Sequence, residues 1–143
     1  MKVTIAVSIV FLIFSSILNA HHARTAVYDP NVRETIAGTF VILSLTNPHT
    51  RLYIDVTNDN GKIERWMVEG PGKLSLARRG WNDNMFTPGE TVTAIGSRSI
   101  AGNKSIWLKK VRRSDGTEYV DPRMADQLVI ERKRLQRTLP TKQ

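Results

Sequence analysis

The sequence predicts an all-β domain with one short internal helix. Five segments have the apolar pattern and length of strands, and each ends at glycine, proline, asparagine or aspartate residues that favour turns. One helical segment lies between the third and fourth strands, and the other connections are too short for the crossover helices of a parallel sheet. This order is typical of the OB-fold, so we expect a small five-stranded, OB-like Greek-key barrel followed by a C-terminal helix. An open β-meander with a packed helix is the alternative.

The first strand is expected from Thr35, after an irregular lead-in that contains the turn cluster Tyr28-Asp29-Pro30-Asn31. Ile36, Phe40 and Ile42 should share one face of this strand, and the opposite face is also fairly apolar. Such a strand is buried on both sides or is bent around a small barrel.

The later elements follow from their patterns and from the turns between them. Asn47-Pro48-His49 interrupts the first pattern, because Pro48 cannot donate a hydrogen bond to a sheet. Asn60-Gly61 predicts a tight hairpin in which both central residues adopt positive φ. The turn at Ser114-Asp115-Gly116 should end the sheet. The other predicted elements are strands over Arg51–Thr57, Lys62–Glu69, Thr91–Ser99 and Ser105–Arg113, a helix over Lys73–Arg79, and a helix over Pro122–Arg137.

The first twenty residues have the composition of a secretory signal peptide. Met1-Lys2 is a short basic start, residues 3–18 are mostly apolar, and Ala20 is a small residue at the expected cleavage point. Because the apolar run approaches the lower limit of a membrane span, about 17 residues, an uncleaved membrane anchor is the alternative. The predicted organisation is a signal peptide at 1–20, a lead-in at 21–34, the OB-like domain at 35–116, and a basic C-terminal helix and tail at 117–143.

Composition limits the classes of function. The chain has no cysteine, which excludes a disulfide framework, a thiolate zinc site and a cysteine nucleophile. An exported protein without disulfides fits the bacterial periplasm. The formal net charge of +8, which falls by one when Lys2 leaves with the signal peptide, favours small anions or acidic envelope proteins as partners. Nucleic acid is not expected, because export separates the protein from it, and a membrane is expected only if residues 1–20 are retained.

Several short motifs, in their order along the chain, resemble a bacterial periplasmic family known as domain of unknown function 6152. The matching motifs are Ala20-His21-His22, Tyr28-Asp29-Pro30, Gly38-Thr39, Thr46-Asn47-Pro48-His49, Arg78-Arg79-Gly80-Trp81 and Pro88-Gly89-Glu90. Members of that family usually carry a serine after the paired histidines and a tryptophan before Thr-Asn-Pro-His. Here Ala23 and Leu45 stand in those places, which weakens any role for the serine and the tryptophan. The resemblance implies a small periplasmic β-barrel and implies no activity.

The three histidines of the chain, His21, His22 and His49, all fall inside these motifs and are the candidate metal ligands. Imidazole binds copper and zinc, and a tetragonal nitrogen site suits Cu(II), so copper is expected ahead of zinc. If cleavage exposes His21, its α-amine and ring can chelate one ion, with His49 as a third nitrogen ligand, an arrangement that resembles the histidine brace of copper proteins. Cleavage after Asn19 would instead give Ala-His-His, which binds Cu(II) through backbone amides. The alternative is that the terminal histidines bind no metal and that His49 donates to a loop carbonyl.

A second candidate site lies on the face formed by strands two and three, where OB-folds commonly bind ligands. Its candidate ligand-binding residues are Arg51, Tyr53, Arg65 and Trp66, together with Arg78 and Arg79 after the helix. A sugar, a small anion or an acidic protein is the expected ligand in the periplasm. Each tryptophan has a structural alternative, the filling of an end or corner of the barrel, and for Trp81 we expect core packing.

The remaining polar residues do not predict catalysis. Asp29, Asp55, Glu64 and Glu69 are spread through different strands and turns, so no acid–base pair is visible. Gly70-Pro71-Gly72 lacks the lysine and hydroxyl residue of a phosphate-binding loop. We therefore expect a non-enzymatic binding module with no catalytic residues and with copper as its candidate cofactor. The alternatives are a copper-dependent redox enzyme and a membrane-anchored protein of the envelope that binds partners.

Overall fold

The computed structural model describes residues 23–121 and 123–124, and they form a β-rich fold with two short helices. The all-β class is confirmed. The predicted signal peptide, His21 and His22 lie outside the described residues, as does the predicted C-terminal helix apart from residues 123–124. None of the helices in the described part has the length and apolar character needed to cross a membrane. The elements are α1 (Ala23–Val27), β1 (Tyr28–Ser44), β2 (His49–Thr57), β3 (Ile63–Pro71), α2 (Lys73–Ala77), β4 (Thr91–Ser99), β5 (Ser105–Arg113) and β6 (Glu118–Val120).

All six strands belong to one sheet with the order β3-β2-β1-β4-β5-β6. Neighbours in this order are antiparallel. In addition, β3 pairs with β5 in parallel, and this pairing places Glu69 opposite Trp107. Residues that are far apart in the sequence therefore meet where β3 and β5 touch.

Strand β1 starts earlier than the sequence predicts, at Tyr28 instead of Thr35. The predicted turn cluster is accommodated inside the strand by an irregularity in its pairing with β4, between Tyr28 and Arg33. The hydrogen bond of an Asx turn is present at this irregularity: the backbone N–H of Asn31 donates to Asp29 Oδ1 at 2.9 Å. The early start of β1 matters because it brings Tyr28 onto the sheet.

A second irregularity in β1, between Phe40 and Ile42, corrects the predicted faces of this strand. Ile36 and Phe40 are buried as expected, but Ile42 is exposed and the next buried residue is Leu45. A bulge changes which side of the strand faces the core, and alternation alone does not place it. Near it, a Cβ on Gly38 would lie 2.3 Å from the backbone oxygen of Asp55, so only glycine permits the close approach of β1 and β2.

The structure also corrects the number of strands and the conformation of one turn. The predicted end of the sheet at residues 114–116 is a turn that leads into β6, a strand too short to show alternation. The β2–β3 hairpin is present, but only Gly61 has positive φ (75°), and within the described ranges no residue other than glycine does. Asn60 therefore does not adopt the expected conformation. Instead, Asn58 Oδ1 accepts hydrogen bonds from the backbone N–H groups of Asn60 and Lys62.

The core lies between the inner face of the sheet and α2. Leu76 of α2 is fully buried and belongs to the same apolar cluster as Ile54 and Ile106. Trp81 is buried as predicted, with its ring edge-on to Phe86 at a centroid distance of 6.0 Å. The helix therefore covers the inner face, while Arg51 of β2 and Arg65 of β3 lie exposed on their strands.

Candidate functional site

His49 is the first residue of β2, and the loop before it is held by the junction between β3 and α2. Lys73 donates its backbone N–H to the Thr46 carbonyl at 3.1 Å, and Thr46 Oγ1 donates to the His49 carbonyl at 2.9 Å. A Cβ on Gly72 would lie 2.6 Å from Asn47 Oδ1 and 2.7 Å from the Pro48 carbonyl oxygen. The absence of a side chain at this glycine therefore lets the loop pack closely and sets the position of His49.

The imidazole of His49 is oriented by Glu69. His49 Nδ1 and Glu69 Oε1 are 2.6 Å apart, and the side chains are 43% and 14% exposed. His49 lies opposite Pro71 and Glu69 lies opposite Arg51, so the two side chains are diagonal neighbours across β2 and β3. Because a carboxylate is an acceptor, Nδ1 is the donor, and Nε2 remains as the second ring nitrogen for a ligand.

Glu69 is held in turn by Tyr28. The Tyr28 hydroxyl donates to Glu69 Oε2 at 2.7 Å, and the tyrosine is only 4% exposed. Burial, followed by the hydrogen bond to Glu69, raises the pKa of Tyr28 to about 12, although Ser105 and the charge of Arg51 act in the opposite direction. The hydroxyl therefore stays protonated at physiological pH and remains a donor to the carboxylate.

Trp107 forms the wall behind these three side chains. Its ring meets His49 edge-on at a centroid distance of 5.2 Å and Tyr28 at 5.8 Å, and the Arg24 guanidinium carbon lies 5.6 Å from its centroid. Trp107 is 5% exposed, yet it is not a member of the apolar core cluster. Its buried indole N–H has no hydrogen-bond partner among the residues that the structure describes. We refer to His49, Glu69, Tyr28 and Trp107 as the His49 cluster.

Comparison with known proteins assigns a family. The sequence pattern of the family of unknown function DUF6152 matches residues 10–107. The chain belongs to this family. No curated protein matches it. In this DUF6152 member, the matched range contains all four residues of the His49 cluster and also His21 and His22.

The predicted ligand-binding residues of β2 and β3 do not form one face. Arg51, Tyr53 and Arg65 alternate with the buried residues of their strands, whereas Trp66 is packed against the core on the inner side. Arg65 is held by Asp55 through two hydrogen bonds of 2.8 and 2.9 Å. The Arg65 guanidinium keeps the pKa of Asp55 below its usual range. Arg51 is the member nearest the His49 cluster, since it lies opposite Glu69.

The two arginines after α2 lie in a different part of this DUF6152 protein. Arg78 is the C-terminal cap of α2, and both Arg78 and Arg79 are exposed. The backbone N–H of Arg79 donates to the Leu76 carbonyl at 2.8 Å. These residues therefore follow the helix that covers the core and do not extend the β2–β3 face.

The predicted metal site is only partly within the described residues. His49 is the one histidine that they include, and between residues 23 and 124, with 122 excepted, there is no group of three or more histidine and acidic residues able to hold an ion. His21 and His22, the other predicted ligands, lie outside this part. The binding of copper by these three histidines stays a prediction.

Sequence reasoning missed three residues of the His49 cluster. In the sequence, Glu69 is one of several scattered acids, Tyr28 lies in a turn cluster that is also a family motif, and Trp107 has the filling of the fold as its structural alternative. Glu69 is 20 residues from His49 and 41 from Tyr28, so no local spacing connects them. The only sequence feature that could have drawn attention to Tyr28 is its place in a family motif.

Proposed function

We propose that this protein is an exported, periplasmic binding module that holds a divalent transition-metal ion, copper ahead of zinc, with His49 as a ligand. The observation that carries the proposal is the orientation of His49 by Glu69 and Tyr28. Metal-binding histidines commonly donate their second ring N–H to a carboxylate, which fixes the ring and increases the basicity of the ligand nitrogen. Here the same arrangement leaves Nε2 for the ion.

The fold that we propose for this module is the OB-like, five-stranded Greek-key barrel. The pairing of β3 with β5 in addition to the sheet order supports it, because each of β1 to β5 then has at least two strand neighbours. Strand β6 is an addition to that arrangement. OB-folds often bind ligands on the face of strands two and three and on adjoining loops, and His49 lies at the loop that enters β2.

Two properties of the His49 cluster suit a cation. Glu69 contributes a largely buried negative charge beside the ring, and His49 is exposed enough for an ion to reach Nε2. His22 directly precedes Ala23 in the chain. Arg24, which follows Ala23, has its guanidinium group over the ring of Trp107. Positions 21 and 22 are two residues before Ala23, and a chain of two residues spans at most about 7 Å. The histidines at these positions are therefore the candidates to complete the ligand set.

The proposal is tested by titrating Cu(II) into the mature protein, with calorimetry and electron paramagnetic resonance as the readouts. Mass spectrometry of the protein from the periplasmic fraction first identifies its amino-terminal residue. We expect His49→Ala and His21→Ala each to weaken Cu(II) binding by at least about tenfold, and Glu69→Gln to weaken it about 10- to 100-fold.

Glu64→Gln is the matched control for Glu69→Gln. Glu64 is on the same strand but forms an ion pair with Lys104, away from the histidine, so its removal should leave Cu(II) affinity unchanged. Equal affinity in wild type and His49→Ala would overturn the metal proposal. If the intact mass shows that residues 1–20 are still present, the α-amine of His21 cannot be a ligand. If the copper-loaded protein turns over oxygen or peroxide, the protein is a redox enzyme and not a binding module.

A further inference from the structure

A pocket of about 360 Å³ adjoins the His49 cluster and shares Tyr28 and Trp107 with it. This volume is within the range of about 300–1,000 Å³ that small-molecule sites occupy. The pocket is formed by α1, the early part of β1, Ser97 of β4, β5 and the segment after β6, so most of its lining residues are not part of the His49 cluster.

The pocket is strongly basic. Its cationic lining residues are Arg24, Arg33, Lys109 and Arg123, against a single acid, Asp121. Asp121 is buried, and its Oδ1 already accepts the backbone N–H of Arg123 at 2.9 Å. The pKa of Lys109 is lowered by burial and then by the charges of Arg33 and Arg24, as expected where like charges converge.

These four cations differ from most of the other basic residues on the strands, although only Arg33 and Lys109 among the four belong to strands. In the described part of the chain, none of them forms an ion pair with a carboxylate, whereas several strand cations elsewhere do. The paired cations are Arg65, Arg98, Lys110 and Arg113. Like charges held together without a counter-charge are unfavourable, and an anion placed between them would remove that cost.

The pocket also has an aromatic and apolar wall. Trp107 and Tyr28 line it together with Leu108 and Met124. A bare inorganic ion would use the charges but would leave the apolar wall without a partner.

We propose that this pocket binds a small organic oxyanion, a phosphate or carboxylate group attached to a compact aromatic or apolar body. The arginines supply planar donors that suit either oxyanion, and Trp107 and Tyr28 supply the surface for the attached group. The site is separate from the ligand-binding residues expected on β2 and β3, and it does not require a metal ion.

The test is isothermal titration calorimetry of the mature protein at low ionic strength, without added metal, with phenyl phosphate and benzoate. Inorganic phosphate provides the charge without the apolar body. We expect one molecule of phenyl phosphate or benzoate to bind per chain, more tightly than inorganic phosphate. The probe with the higher affinity shows whether the site prefers a phosphate or a carboxylate group. Lack of heat with both organic probes, or equal affinity for inorganic phosphate, would overturn the proposal.

Variants locate the binding. Arg33→Gln should weaken the affinity by at least about tenfold, the usual cost of losing a charged hydrogen bond. Lys109→Gln should do the same, and Lys109→Arg, which keeps the charge, should restore most of it. Arg112→Gln removes the same charge from an exposed residue of β5 outside the pocket and should bind as wild type does. An equal loss in Arg112→Gln would show a general effect of net charge and would refute the site.

Two further controls keep the outcome clear. Arg33 is exposed, so its variant decides the test if Lys109→Gln does not fold, as judged by thermal unfolding. His49→Ala should retain probe binding, which separates a failure here from a failure of the metal proposal. If the protein binds vesicles of anionic lipid but neither soluble organic probe, the basic residues bind a membrane surface and the small-molecule proposal is overturned.

Discussion

Replacing Tyr28 with phenylalanine removes one hydroxyl group from the His49 cluster and leaves the shape of the aromatic ring unchanged. Glu69 then loses the donor to Oε2 while it keeps its contact with His49 at Oε1. Because Glu69 is largely buried, water replaces that donor poorly. The variant therefore measures what the buried hydrogen bond contributes to folding.

The strength of this hydrogen bond gives the size of the effect. A hydrogen bond to a charged group contributes about 1.5–3 kcal/mol. The rise in the pKa of Tyr28 from 10.0 to about 12 is caused first by burial, so it sets how stability changes with pH and not the strength of this hydrogen bond. We expect Tyr28→Phe to lower the free energy of unfolding at neutral pH by about 2 kcal/mol.

The same tyrosine predicts a pH dependence of defined sign. Below pH 10.0 the hydroxyl is protonated in both states, so its full contribution to stability is present. As the pH rises toward about 12, the unfolded chain releases this proton while the folded chain retains it, and the contribution is lost. The difference in stability between wild type and Tyr28→Phe should therefore shrink by about 2 kcal/mol over this interval.

Urea denaturation of both proteins at a series of alkaline pH values measures this difference. Tyr53→Phe, on the outer side of β2, is the control for the loss of a phenol and should change neutral-pH stability by no more than about 0.5 kcal/mol. A difference between wild type and Tyr28→Phe that stays constant from neutral pH to about pH 12 would refute the reasoning. So would equal stability at neutral pH.

Two further predictions concern the core and the outer face of the sheet. Leu76→Ala should destabilise the fold by about 2–5 kcal/mol in urea denaturation because Leu76 is fully buried, whereas Leu74→Ala, on the exposed side of the same helix, should cost no more than about 0.5 kcal/mol. A similar loss in both variants would contradict the role of α2 as the cover of the core. Because Arg65 lowers the pKa of Asp55, this carboxylate contributes stability above its ordinary pKa that is lost on acidification, so wild type should lose more stability than Asp55→Asn as the pH falls. If the urea midpoints of wild type and Asp55→Asn fall equally as the pH is lowered, the predicted contribution of the Asp55 carboxylate is contradicted.

Much of the fold could be predicted from local sequence. The bounds of β4 and β5 agree with those expected, and β2, β3 and α2 differ from their expected limits by two residues at most at either end. These elements have a regular apolar pattern and are ended by turn residues. The errors occur where pairing decides the outcome: β6 depends on β5 for its hydrogen bonds, and the exposed side of Ile42 follows from a bulge against β2.

The candidate site was less accessible to sequence reasoning. Its histidine could be chosen because the chain has only three and His49 follows a distinctive proline motif. The partner of that histidine could not be chosen, since Glu69 is one of thirteen acidic residues and has no characteristic spacing from His49. The basic pocket could not be predicted for the same reason, because Arg33 and Lys109 are brought near each other only when β1 and β5 pair with β4, which lies between them.

The sequence by itself determined the all-β class, most of the strand limits and the choice of His49 as a candidate ligand. These properties depend on alternation, turn residues and composition, which act over a few neighbouring residues. Only the tertiary structure decided that Glu69, Tyr28 and Trp107 surround that histidine. The reason is the contact of β3 with β5 and the early start of β1: strand pairing sets Glu69 beside Trp107 and carries Tyr28 to the same place, and no pattern within a single strand specifies which distant strand will lie next to it.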